Sequence, residues 1–251
     1  MSKNPQLSII IPNYNEKENL ESGVLDEVAE YLKKVSFTWE VIISDDESTD
    51  NSRQIAQEFA TKHKGFRVLK NPHGGKAQAV WSGIKKATGD IVLFTDMDQS
   101  TPLSEVEKLL PHYQSGYDVV FGSRGRTRNA SIFRRILAFG FLTFRRFLLL
   151  PQVIDTQCGF KSFKRSVALK LFPQLEIIKT TNQAKGWVVS AFDVELLFLA
   201  EKFGYQIKEV RVQWKDRDIS TSKSKNFLTE SKDMLKQILR VKLNDLQGKY
   251  I

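Results

Sequence analysis

Two aspartates, Asp96 and Asp98, follow the apolar run Ile91-Val92-Leu93-Phe94. Carboxylates at this spacing, at the end of a buried strand, can approach one hard cation together. Mg2+ or Mn2+ held there would bridge them to phosphate oxygens. Aspartate also favours such turns on purely structural grounds. A second acidic cluster, Asp45-Asp46-Glu47-Ser48-Thr49-Asp50, ends another apolar run. One of its carboxylates can accept the N3–H of uracil or an N–H of guanine, and Ser48 or Asp50 also suits a helix cap. A third cluster, Pro12-Asn13-Tyr14-Asn15-Glu16, follows the first apolar run, and Tyr14 can stack on a base. No glycine occurs there, so the G-x-G-x-x-G dinucleotide fingerprint is excluded. Gly74-Gly75-Lys76 shares a fragment with a P-loop, but Lys70 and Ala77 stand where the first glycine and the Ser/Thr would be. The P-loop reading fails. A glycine turn beside a lysine can still approach phosphate.

The elements that must position these residues alternate. Leu7–Ile11 reads as a buried strand ended by Pro12. Leu20, Val24, Leu25, Val28 and Leu32 give helical spacing over Glu16–Lys34. Strands are predicted at Trp39–Ile43, Phe66–Leu69, Asp90–Thr95 and Tyr117–Phe121. Helices are predicted from Ser48 or Asp50 to Lys62, over Ala77–Ala87, and after Pro102, which suits a first helical turn. Strand–helix alternation with short connections implies a mostly parallel sheet flanked by helices, an α/β fold. Sites in such sheets form at the carboxyl ends of strands, where the acidic clusters fall.

The second half is less regular. Arg134, Arg135, Arg145 and Arg146 interrupt a segment rich in Phe, Leu and Ile, predicted helical over Ser131–Leu149. The two pairs are close to three helical turns apart and project to roughly one side. Such a helix can lie in a membrane interface with its basic flank on anionic headgroups, or pack in a core with snorkelling arginines. An extended stretch over Asp155–Phe163, a helix over Phe192–Phe203 and a strand over Ile207–Trp214 follow. Lys223 and Lys225 lie in the next, Ser/Thr-rich loop, which can close over a diphosphate. A C-terminal helix completes the pattern. With no repeat or linker, residues 1–251 read as one domain, with a donor-side half over about 7–125 and an acceptor-side half over about 126–251.

The formal charge of +9 over 251 residues calls for anionic partners. No helix-turn-helix, RNP or zinc-finger pattern supports nucleic acid, and His63, His73 and His112 match no zinc spacing. Cys158 is the only cysteine, so no intrachain disulfide forms, as in a reducing compartment. The polar start Met-Ser-Lys-Asn-Pro-Gln is not a signal peptide, and no run of 18 apolar residues occurs. The expectation is a cytoplasmic protein held peripherally at a membrane, with no transmembrane helix.

Taken together, Ile10-Ile11-Pro12-x-Tyr14-Asn15-Glu16, Asp45-Asp46-x-Ser48-x-Asp50, Asp96-x-Asp98 and Gly122-Ser123-Arg124 resemble the motifs of family 2 glycosyltransferases, which have the Rossmann-like GT-A fold. Asp155-Thr156-Gln157-Cys158-Gly159-Phe160-Lys161, Ala191-Phe192-Asp193-Val194-Glu195-Leu196-Leu197, and Trp214 before Ser222-Lys223 are similar to motifs of a narrower group, the dolichyl-phosphate glucosyltransferases and other polyprenyl-phosphate glycosyltransferases. The resemblance implies inverting, metal-dependent transfer of a hexose from a nucleotide-diphosphate sugar, glucose from UDP first, to a polyprenyl or dolichyl phosphate. The alternative is a soluble or polysaccharide hydroxyl acceptor.

The resemblance also implies roles. Pro12, Tyr14, Glu16 and Asp46 would hold base and ribose, with Asp45, Lys76 and Met97 on the same donor side. Asp96 and Asp98 would meet the sugar diphosphate, Asp98 as the more direct ligand of Mg2+ or Mn2+, and Ser100 would complete the metal site. Arg124, Arg134 and Lys223 would contact the diphosphate or the acceptor phosphate. Asp155 and Gln157 would face the reaction centre, Asp155 orienting rather than deprotonating an acceptor that is already ionised. Gly159, Asp193 and Glu195 would serve the acceptor side. An anionic membrane surface is the implied partner. The chain departs from the pattern in lacking a membrane-spanning helix, in Met97 where a small residue is usual, and in a longer loop before Lys223.

Overall fold

The computed structural model describes residues 5–124, 143, 145–180, 192–220 and 227–250. Strands β1 (Leu7–Asn13), β2 (Trp39–Asp45), β3 (Phe66–Lys70), β4 (Ile91–Thr95), β5 (Val119–Ser123), β6 (Phe160–Lys164) and β7 (Ile207–Arg211) form one sheet in the order β3-β2-β1-β4-β6-β5-β7. β3, β2, β1 and β4 are mutually parallel, β5 and β7 are parallel, and β6 runs antiparallel to both β4 and β5. Six strands therefore deliver their carboxyl ends to one edge, and β6 begins at that same edge.

The sheet is buried on both faces, which is why its strands are near-continuous apolar runs. Side chains alternate between two cores. Ile10, Ile42, Val92, Phe94 and Phe121 enter one; Ile9, Ile11, Ile43, Leu93 and Val120 enter the other. The first core is covered by α4 (Lys76–Lys86), α7 (Arg165–Leu171), α8 (Glu176–Thr180), α9 (Phe192–Lys202) and α10 (Phe227–Leu246). The second is covered by α2 (Val24–Leu32), α3 (Ser52–Lys62) and α5 (Val106–Leu109).

Four expectations are corrected. Pro12 does not end β1 but pairs with Ser44 within it. The register with β4 stops at Ile10, and Asn13 O accepts from Asp46 N on the β2 side. By alternation the missing N–H of Pro12 then points where no strand remains to bond. The helix expected over Glu16–Lys34 is two, α1 (Lys17–Glu21) and α2, because Gly23 adopts φ 87° between them. Pro102 leads into a 3-10 turn at Leu103–Glu105, then short helices α5 and α6 (Pro111–Gln114), rather than one helix. β6 lies inside the stretch expected only to be extended, and it separates β5 from β4.

The strand expected over Tyr117–Phe121 begins at Val119, and that over Ile207–Trp214 ends at Arg211. Most of the expected helix over Ser131–Leu149, with Arg134 and Arg135, lies outside the described residues, as do Lys223 and Lys225. Arg145 does not stand on a basic outer flank. It is buried, with Nη1 donating to Thr156 Oγ1 (2.7 Å) and Nη2 to the carbonyls of Val153 and Ile154 (2.8 Å each). These bonds fix the loop between Val153 and Thr156.

Candidate active site

The site is built at the shared edge. Among the described residues the non-glycine positions with positive φ are Asn15 (53°), Glu47 (62°) and Gln99 (49°). They lie just past β1, β2 and β4, where left-handed backbone is sparsely tolerated and marks functional turns. The first two of these turns are tied to each other. Asn15 Oδ1 accepts from the N–H groups of Thr49 (2.8 Å) and Asp50 (3.3 Å). Asp45 is fully buried; it accepts from Asn13 Nδ2 (2.8 Å), Ser48 Oγ (2.6 Å) and Arg53 Nε (2.6 Å). Asp45, expected on the donor side, lies inside the β2 turn. It closes the β2 turn from inside, because consecutive residues leaving a strand face opposite ways.

Asp46 takes the other side. Its Oδ1 accepts from Gly74 N and its Oδ2 from Gly75 N, both at 2.8 Å, and His73 Nδ1 is 3.0 Å from Oδ2. Burial pushes its carboxyl above the usual range despite these donors. Tyr14 stacks on His73, with ring centroids 4.6 Å apart. His73 was passed over in the sequence because it fits no metal spacing; its one signal was adjacency to Gly74-Gly75.

The next residue, Lys76, opens α4 and crosses to β4, where its Nζ is 2.5 Å from Asp96 Oδ1. Burial alone would lower this ammonium's pKa, yet Asp96, Asp193 and Asp98 together hold it above its ordinary value. Asp98 is raised, first by burial and then by the charge of Asp96, while its Oδ1 accepts from Ser100 N (2.8 Å). One cleft is lined by Pro12, Glu16, Lys76, Asp96, Met97 and Asp98, and also by Asp218, which the sequence reading missed. Asp218 arrives on the loop after Trp214. Asn19 Nδ2 donates to both Glu16 Oε2 (2.6 Å) and Asp218 Oδ1 (3.1 Å), Arg217 forks onto Glu27 at 2.7 Å twice, and Arg217 N donates to Ser100 Oγ (3.1 Å).

The donor set fits a divalent cation. Asp96, Asp98 and the Ser100 hydroxyl are hard oxygen ligands, and Lys76 shows that Asp96 accepts a cation. No group of three His, Cys, Asp or Glu residues placed to cage a metal occurs among the described residues. Two carboxylates suit an ion that completes its shell with water and substrate phosphate.

On the far side of β4, Arg124 meets Asp155 through its backbone N–H (3.0 Å), Nε (2.8 Å) and Nη2 (3.0 Å), and its guanidinium lies 5.5 Å from the Trp214 ring centroid. Gln157 N also donates to Asp155 Oδ1 (2.9 Å). Burial opposes ionisation, but the Arg124 bonds and charge win and hold Asp155 at about 2. Glu209 supports the loop by accepting from Ile154 N and Asp155 N.

Gly159 packs directly on the Asp96 carboxylate; a Cβ there would collide with it. Lys161, fully buried in β6, pairs with Asp193 Oδ1 at 2.8 Å and also donates to Cys158 O. Asp193 is also close enough for its charge to act on Lys76. Glu195, also expected on the acceptor side, points elsewhere. It is fully buried and accepts from Glu176 N (2.9 Å) and Tyr250 Oη (2.8 Å). Residues two apart on a helix face different ways, so α9 turns Asp193 toward Lys161 and Glu195 toward Glu176 and Tyr250. Arg134 and Lys223 lie outside the described residues.

The family model for Glycosyl transferase family 2 matches residues 8–172. A dolichyl-phosphate beta-glucosyltransferase of Saccharomyces cerevisiae is 32% identical, covering 97% of this chain and 76% of that protein. One of Homo sapiens is 34% identical, covering 98% and 78%. Among solved structures, glucosyl-3-phosphoglycerate synthase from Mycobacterium tuberculosis in complex with Mn2+, UDP and glucosyl-3-phosphoglycerate superposes with TM-score 0.62 at 22% identity, covering 96% of this chain and 79% of that one. A mannosyltransferase from Pyrobaculum calidifontis in complex with GDP-Man and Mn2+ gives 0.62 at 19% identity, covering 98% and 65%. At these identities the structural likeness speaks for the fold.

Proposed function

The chain belongs to glycosyl transferase family 2, and from that premise we propose that it transfers glucose from UDP-glucose to a dolichyl or other polyprenyl phosphate, with inversion at the anomeric carbon. One observation carries the donor half of this reading. The Gly74–Lys76 turn donates to Asp46 at the end of β2 and reaches Asp96 at the end of β4, so the carboxylates proposed for base and diphosphate are joined by one short turn. The glucosyl and dolichyl-phosphate assignments are supported by the near-full-length likeness to the named relatives.

In this reading Asp46 accepts an N–H of the base and Tyr14 covers its face. Asp96 and Asp98, with Ser100, hold Mg2+ or Mn2+, which neutralises charge on the departing diphosphate when bound. The acceptor oxygen attacks the anomeric carbon from the face opposite the leaving nucleoside diphosphate. Arg124, fixed by Asp155, presents its charge to the acceptor or leaving phosphate, and Lys76 gives a second cation. Asp155 is held ionised by four donated N–H groups and serves as a positioning residue, so it is not the base that a hydroxyl acceptor would need. A lipid phosphate has its second pKa at about 6 and reaches the site already ionised, which favours it over a soluble or polysaccharide hydroxyl acceptor. We also take the chain as one catalytic unit, donor side over about 7–125 and acceptor side over about 126–251, with an anionic membrane surface as partner. No helix among the described residues is long and apolar enough to cross a membrane.

The test is a panel of nucleotide sugars with Mg2+ or Mn2+ and a short polyprenyl phosphate, scored for free nucleotide and glycosyl lipid. UDP release with a glucosylated lipid is expected, and Asp98→Asn should lose at least about a hundredfold. Full activity of that variant, or transfer only to a hydroxyl acceptor, would refute the assignment.

A further inference from the structure

Asp96 is held from two directions. Its Oδ1 meets the Lys76 ammonium at 2.5 Å, and the rest of the carboxylate lies against the Gly159 backbone. The lysine side chain is 18% exposed and the aspartate side chain 39%, so the pair sits at the cleft wall, open to solvent on the aspartate side. Asp98 and Asp193 add to the negative field that holds the ammonium there. A positive charge is thus already seated on one of the two carboxylates that would bind a divalent ion. A free cation approaching Asp96 and Asp98 meets this charge at contact range, inside a half-buried cleft where screening is weak.

We propose that Lys76 is a resident counter-cation of the Asp96 seat, which withholds that seat from free metal and yields it when an anionic donor enters. The inference rests on Asp96 and Asp98 being the cation carboxylates. A diphosphate brings negative charge into the cleft and gives the ammonium a new partner, so Asp96 is released to the incoming ion. The same short turn carries the Gly74 and Gly75 N–H groups that hold Asp46, so base and diphosphate act on one segment. Metal and nucleotide then bind with positive coupling, and linkage makes the coupling reciprocal: each tightens the other by the same factor.

The experiment measures Mn2+ affinity directly, from the electron paramagnetic resonance signal of free Mn2+, with and without UDP. It compares the full chain with Lys76→Met, Lys76→Arg and Asp98→Asn, and needs no turnover. The unaltered chain should bind Mn2+ weakly alone and tightly with UDP. Lys76→Met should bind Mn2+ alone at least about tenfold more tightly and keep little of the UDP effect. Lys76→Arg, which retains the charge, should behave as the unaltered chain and guards against an effect of misfolding. Equal or weaker Mn2+ affinity in folded Lys76→Met overturns the proposal while leaving the metal site intact. If Lys76→Met does not fold, the Lys76→Gln form replaces it under the same criteria. No Mn2+ binding in the unaltered chain with UDP, or no loss in Asp98→Asn, sinks the metal reading and the proposal with it.

Discussion

Arg124 and Asp155 are joined by three hydrogen bonds, and the consequence is a pH dependence. The carboxyl is held at about 2 in the folded protein, against about 3.9 in an unfolded chain. A depressed acid contributes stability above its unfolded value and loses it as pH falls toward its folded value. The pair should therefore supply about 2.5 kcal/mol that is present above about pH 4 and fades toward pH 2. Urea unfolding of Asp155→Asn should show that deficit at pH 7 and convergence with the unaltered chain near pH 2. A deficit unchanged over this range would show that the ionised pair is not its source.

At the scale of elements, the decisive piece is β6. Because it runs against its neighbours, its first residues arrive at the edge where the other strands end, and Thr95 pairs with Phe160. Gly159 is thereby pressed on Asp96, and only a residue without Cβ leaves the carboxylate where it is. Gly159→Ala should displace Asp96 and cut glycosyl transfer about a hundredfold. It should lower the melting temperature by no more than about 4 °C, since it strikes one side chain rather than the sheet. Unchanged activity would mean that Asp96 does not need its observed position. The turns past β1 and β2 are held in a similar way: Asn13, Asn15, Asp45 and Ser48 bond across them, so their relative placement is set by the sheet order.

At the scale of the molecule, α10 leaves a stripe of leucines in the open. Leu235, Leu239, Leu243 and Leu246 are 41%, 44%, 56% and 72% exposed and share one helical face by their spacing. Phe147 is 87% exposed, close in sequence to Leu149, which with Asp245 of α10 lines a common cavity. With a net charge of +9, these features support the membrane partner proposed above. The chain should co-sediment with anionic vesicles and much less with neutral ones, and Leu239→Glu with Leu243→Glu should release it. No difference between the two vesicle types would count against an anionic surface.

The sequence by itself determined the β-branched runs that must be buried on both faces, the acidic residues that end them, and the lysine after two glycines. Each of these is local, set by side-chain period and turn chemistry within a few residues. Asp45 versus Asp46, and Asp193 versus Glu195, were not legible. Which of two near-adjacent carboxylates faces the cleft depends on what stands opposite: Arg53 and Asn13 for Asp45, Tyr250 and Glu176 for Glu195. The reversal of β6, the reach of Lys76 to Asp96, and the arrival of Asp218 beside Asp98 were likewise settled only by the tertiary structure. They join segments far apart in the chain, and no periodicity within one segment encodes which distant strand it will lie against.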